Sequence, residues 1–205
     1  MELSIKQTTA IDYLEDTQTN VVLYGGGAGG GKSLLGAYWV LKQCLKYPET
    51  RYVIGRSRLK NLKETTLRSL FEVCQMQGLT ANVDFTYNET KSLITIHSTQ
   101  SEIILKDLFH YPSDPNFDSL GSMNITGAFI DEATEITPMA FNVIQSRMRY
   151  KLDENKLVPK LLMTCNPSKG WIYSEFYKKF KDGTLDNNKQ FVQSLVTDNP
   201  NISKH

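Results

Sequence analysis

Three short segments carry residue types suited to phosphate chemistry. Residues 26 to 33 read Gly26-Gly27-Ala28-Gly29-Gly30-Gly31-Lys32-Ser33 and fit the pattern G-x-x-x-x-G-K-[ST]. In such a loop the glycines let backbone N–H groups curl around the β- and γ-phosphates of ATP. Lys32 bridges phosphate oxygens, and the Ser33 hydroxyl binds Mg²⁺. The second segment, Ala128-Phe129-Ile130-Asp131-Glu132, is an apolar run ending in two adjacent carboxylates. There Asp131 suits Mg²⁺, held through water, and Glu132 suits the base that positions an attacking water. The third, Thr164-Cys165-Asn166-Pro167, ends another apolar run. Taken alone it is an Asn-Pro turn, but beside the other two segments its Thr or Asn can sense a γ-phosphate.

These segments need elements that bring them together. Apolar Ile5, Ala10, Ile11 and Leu14 predict a helix over 5–15, and VVLYG then predicts a buried strand running into the glycine loop. After the loop, Leu34, Tyr38, Leu41 and Leu45 recur at helical spacing. RYVIG at 51–55 predicts a second strand, and Leu59, Leu62, Leu67, Leu70, Phe71 and Cys74 predict one long helix ending near Gly78. Residues 85 to 107 read as short antiparallel strands separated by polar turns, and 107 to 126 as a functional surface loop. GAFID is the next strand. Thr137 as N-cap and Pro138 at the first position open a helix carrying Ala140, Ile144 and Met148. KLLMTC predicts a further buried strand, followed by a helix from about 170 to 181 and a strand near 189–196. Repeated β-α alternation predicts an α/β fold, a mostly parallel central sheet flanked by helices with a small antiparallel meander, binding ligand at the carboxyl ends of its strands.

The bulk properties narrow the class. With 205 residues and 40% hydrophobic content, the chain suits a single domain, 1–205. Its 23 basic and 22 acidic residues nearly cancel, so contact with nucleic acid has to use local patches. Cys44, Cys74 and Cys165 lack the spacing of a zinc site and read as reduced core thiols. The sequence has no run of the roughly 20 apolar residues that a membrane span needs, and no signal-like start, so the expectation is a cytosolic protein that is not secreted.

Together the motifs resemble the ATPase domain of tailed-phage terminase large subunits, a P-loop NTPase fold of the ASCE/RecA-like kind. The resemblance covers nearly the whole chain. Lys6-Gln7 is similar to the adenine-reading glutamine, residues 26–33 to Walker A, 129–132 to Walker B and 164–167 to the coupling motif. The IGRSR segment, Arg147 and Arg149, and the closing Thr197-Asp198-Asn199-Pro200 add to it. The family implies hydrolysis of ATP with Mg²⁺ to move double-stranded DNA into a procapsid. Its partners are a portal protein, a small terminase subunit and further copies in a pentameric ring, in the cytoplasm of the phage's host. In the family the motor is followed by an RNase H-like nuclease, which is not expected within these residues.

Many terminases place an arginine in Walker A where this chain has Ala28. Charge neutralisation is therefore expected from Arg147 or Arg149 of a neighbouring subunit, with Arg56 and Arg58 as candidates in the same chain. Lys169, Lys178, Lys179, Lys181 and Lys189, with Trp171, Tyr173 and Tyr177, read either as a solvated amphipathic helix or as a phosphate-directed DNA contact. Two other readings stay open: a helicase-like nucleic-acid translocase, and an assembly module that binds nucleotide without turnover.

Overall fold

The computed structural model describes residues 2–27, 31–195 and 198. Helix α1 (Ile5–Glu15) leads into β1 (Val21–Gly26), then α2 (Lys32–Lys46) and β2 (Arg51–Arg56). Next come α3 (Leu59–Glu64), α4 (Thr66–Met76), β3 (Phe85–Asn88), β4 (Leu93–Ile96) and β5 (Glu102–Asp107). One helical turn, α5 (Asp118–Gly121), precedes β6 (Gly127–Ile130), and α6 (Pro138–Arg147), α7 (Leu152–Asn155) and β7 (Lys160–Cys165) follow. A π-helical segment (Tyr173–Lys178) runs into α8 (Lys179–Lys181), and β8 (Lys189–Ser194) closes the sheet.

All eight strands form one sheet in the order β3-β4-β5-β2-β6-β7-β1-β8. The six from β5 to β8 in that order run parallel, and β3 and β4 add antiparallel at one edge, so the predicted meander continues the central sheet. Strands β1, β6 and β7 are buried along their whole length, as helices on both faces require. On one face α1, α2 and α4 pack through Trp39, Leu35 and Leu70. On the other, α5, α6 and the π-helical segment pack through Ile144, Phe141 and Phe176. The three cysteines are buried free thiols, as expected.

Two helices differ from their sequence reading. Of the stripe Leu34, Tyr38, Leu41 and Leu45, Leu41 is buried and the other three are only partly buried. The face of α2 against the sheet is Leu35, Gly36, Trp39, Val40 and Cys44, one residue further round. Gly36 explains this choice, because a Cβ there would lie 2.2 Å from the Phe129 ring of β6. The helix that follows the glycine loop thus presses its backbone onto the strand that carries Asp131. The predicted long helix over 59–76 is broken at Thr65, whose φ of −125° and ψ of −73° separate α3 from α4. The surface loop at 107–126 is anchored by Phe117 and Leu120, both buried.

Gly36→Ala should destabilise the fold by about 1–3 kcal/mol, the cost of overpacking a filled core. Denaturant titration reads this directly, and an unchanged midpoint would show that the α2–β6 approach is not tight.

Candidate functional site

The parallel register dictates which residues meet. Ile130 of β6 lies beside Met163 of β7, so Asp131, one step further, stands beside Thr164. On the other side of β7, Gly25 of β1 lies beside Cys165. The carboxyl ends of three adjacent strands therefore bring Gly26, Asp131, Glu132 and Asn166 to one edge.

Asp131 is 1% exposed and is held by two buried hydroxyls. Thr164 donates to Oδ1 at 2.5 Å and Thr66, the first residue of α4, donates to Oδ2 at 2.7 Å. Glu132 follows in the left-handed region, φ 51° and ψ 54°, a conformation costing about 1–2 kcal/mol in a residue with a Cβ. The twist turns its side chain toward β7, where the Asn166 amide donates to both carboxylate oxygens, at 3.1 and 3.2 Å. Burial, then the neighbouring Asp131 charge, pushes the Glu132 carboxyl above its ordinary pKa, while Arg56 and Lys32 act against that rise.

Lys32 is buried at the start of α2 and its ammonium donates to the carbonyls of Gly26 and Gly27, at 3.1 and 2.7 Å. Ser33 is the next residue of that first turn. Gly26 has no room for a side chain, since a Cβ would come within 1.6 Å of the Ser194 carbonyl oxygen on β8. Gly31, at φ 65°, hands the loop to the helix. Ala28, Gly29 and Gly30 lie outside the described residues, as do Thr197, Asn199 and Pro200. Gln7 is buried against the loop. Its side-chain oxygen accepts from the Ser4 N–H, closing a capping box on α1, and its amide donates to the Gly31 carbonyl at 3.3 Å.

The arginines divide. Arg56, at the end of β2, donates to both carboxylate oxygens of Glu135, at 3.0 and 3.2 Å, and to the Thr65 hydroxyl at 2.8 Å. Its pKa is raised by that pairing and further by the charges of Asp131 and Glu132. Arg58 stacks with its guanidinium carbon 3.2 Å from the centre of the Phe109 ring. Arg147 and Arg149 are not brought to this edge. They bind the Gly121 carbonyl and the Asn124 side chain, where Met148 bridges Ile125 ahead of β6. That is the opposite end of the strand.

Sequence reasoning missed Thr66, Thr65 and Glu135. A signal existed for the first two. The spacing of leucines slips from three to five between Leu62 and Leu67, which an unbroken helix does not favour.

Among the described residues no group of three or more His, Cys, Asp or Glu could hold a metal ion. Asp131 and Ser33 offer only oxygens, a set that fits Mg²⁺ when a nucleotide's phosphates complete its shell. No helix is long and apolar enough to cross a membrane, among the described residues.

A family model described as phage terminase large subunit matches residues 18–205. The chain belongs to that family. The large terminase of a thermophilic bacteriophage has the same fold over 100% of this chain and 48% of its own, with a TM-score of 0.78 and 15% identity. The same protein in complex with ADP gives 0.78 and 16%, over 99% of this chain and 48% of that one. The large terminase ATPase domain of Thermus phage P74-26 gives 0.65 and 13%, over 94% of this chain and 80% of that one. This terminase chain therefore spans about half the length of the whole large terminases it resembles. No curated protein matches it.

Raising the pKa of Glu132 means that its ionised form disfavours folding at neutral pH. Glu132→Gln should therefore raise the melting temperature at neutral and higher pH, where the ionised form dominates in the unfolded chain. The gain should vanish as pH falls below the ordinary carboxylate range, where wild-type Glu132 is protonated whether folded or unfolded. Scanning calorimetry across pH checks both the sign and the window.

Proposed function

We propose that this chain is the motor domain of a terminase large subunit, hydrolysing ATP with Mg²⁺ to drive double-stranded DNA into a procapsid. The observation that carries the reading is the register of β1, β7 and β6, which aligns Gly26, Asn166, Asp131 and Glu132 along one edge. A large terminase of this fold binds ADP, which supports the same ligand here.

In this reading the phosphates lie along residues 26–31 at the amino end of α2, whose dipole and N–H groups favour anions. Lys32 exchanges the Gly26 and Gly27 carbonyls for β- and γ-phosphate oxygens. Ser33 and Asp131 would hold Mg²⁺, which when bound neutralises phosphate charge and orients the γ-phosphate. Glu132 orients the attacking water and takes up its proton, and its raised pKa brings it closer to the working pH of a base. Asn166, which holds both oxygens of Glu132, is placed to feel the γ-phosphate and the base together. Gln7, buttressing Gly31, is placed beside the loop to read adenine. No nuclease site is proposed within these residues. Portal protein, small terminase subunit and a pentameric ring of copies are the proposed partners, in the host cytoplasm.

The ion pair of Arg56 with Glu135 makes it a charge that supports the site from within the chain. Arg147 and Arg149 flank Met148, which bridges Ile125, six residues before Asp131 and roughly 20 Å of extended chain from it. They would serve as finger only for a neighbour's nucleotide.

Lys32→Ala should abolish nucleotide-dependent turnover, and Glu132→Gln should keep Mg-ATP binding while slowing phosphate release by at least about a hundredfold. Undiminished hydrolysis by folded Lys32→Ala would refute the site. Wild-type protein that binds ATP and never turns it over would favour the assembly module instead.

For the arginines, an Arg147→Ala, Arg149→Ala double variant should regain turnover when co-assembled with Lys32→Ala, because its intact loop receives the partner's arginines. A finger is worth about 10³ to 10⁵ in rate, so the gain is easily read. No rescue, with specific activity independent of protein concentration, would leave Arg56 to act alone.

A further inference from the structure

The Asp131 carboxylate has two fixed partners, and only one belongs to a segment already assigned a role. Thr164 lies on β7 in the coupling segment. Thr66 comes from 65 residues earlier in the chain, is fully buried, and donates its hydroxyl to Oδ2 at 2.7 Å.

That contact depends on the broken helix. A threonine within a helix commonly returns its hydroxyl to the carbonyl four residues back. Thr65 does so, donating to the Asn61 carbonyl at 2.7 Å while accepting from Arg56 at 2.8 Å. Thr66 follows the break, and its hydroxyl is aimed out of the helix at the carboxylate. A continuous helix over 59–76 would deny Asp131 this donor. A hydroxyl has one hydrogen to give, and Thr66 gives it to Asp131, leaving further lone pairs on both carboxylate oxygens for water or a cation.

We propose that Thr66 is a positioning residue for ATP hydrolysis, fixing the rotation of the Asp131 carboxylate so that it meets the hydrated Mg²⁺ of the bound nucleotide. The inference rests on the reading of Asp131 as the metal-side carboxylate. Groups that orient a metal's ligands typically contribute about 10–100-fold to metal affinity or activity.

The test compares Thr66→Val, which keeps the shape and loses the hydroxyl, with Thr66→Ser, which keeps the hydroxyl. Binding of ATPγS is measured in EDTA, and binding of Mn²⁺ to the protein–ATPγS complex is measured by electron paramagnetic resonance. Thr66→Val should leave metal-free nucleotide affinity unchanged and weaken Mn²⁺ binding by about tenfold or more, while Thr66→Ser restores most of it. Should Thr66→Val fold poorly, Thr66→Ala against Thr66→Ser makes the same comparison. Wild-type Mn²⁺ affinity in the variant lacking the hydroxyl would overturn the proposal. So would equal loss of affinity in the serine variant, or a parallel loss of metal-free nucleotide binding, which marks a merely structural role. Asp131→Asn separates the two levels. If it too binds Mn²⁺ normally, the reading of Asp131 itself fails, whereas a loss there with none at Thr66 overturns only the positioning role.

Discussion

A carboxylate taken out of water must be given hydrogen bonds, and the arrangement around Asp131 follows from that requirement. Its position is set by a four-residue strand, β6, buried along its whole length, so protein hydroxyls supply its fixed partners. Thr164 reaches it because β6 and β7 run parallel in a register that sets them side by side. Thr66 reaches it only because α3 and α4 are two helices. The same break presents the Thr65 hydroxyl to Arg56, and Arg56 in turn grips Glu135 just past Glu132. The alignment of two strands, the interruption of a helix and the placement of a guanidinium thus meet around one buried carboxylate.

Glu132 is governed by the opposite need. It must be near Asp131, yet two carboxylates side by side repel each other. The left-handed backbone at Glu132 directs it away from its neighbour and onto the Asn166 amide, so the two acids face different partners although they are consecutive in sequence. The backbone strain and the raised pKa are both costs of stability accepted at this edge.

Much of this was legible before the structure, for a physical reason. The glycine loop, the apolar run into Asp131 and the strand ending at Asn166 are local patterns, and parallel α/β architecture aligns such strand ends without further information. The cap at Thr137 and Pro138 was equally local, and its hydroxyl accepts from the Ala140 N–H as that pattern requires. Contacts made across the fold were not legible. Leu67 and Leu70 invite an unbroken helix, and the slip in spacing from Leu62 to Leu67 marks the break without showing that Thr66 and Thr65 turn toward Asp131 and Arg56. The face of α2 was misjudged because Gly36 carries no hydrophobicity, although it is where α2 and β6 touch. Gln7 read as a ligand contact, and that its side chain also closes a helix cap and supports Gly31 was not legible.

The sheet order also governs how this domain can be born. Strand β1 lies between β7 and β8, so Val21 pairs with Leu161 and Lys189, residues made roughly 140 positions or more later. At a synthesis rate of about 5–20 residues per second, an entirely apolar-facing segment waits on the order of ten seconds without its neighbours. The meander of β3, β4 and β5 closes locally long before that. Nucleation should therefore begin at the far edge of the sheet, with the glycine loop set last. On the proposed reading, ATP would meet no preformed cradle on a nascent chain, and its binding energy would reward only a domain that has already finished folding.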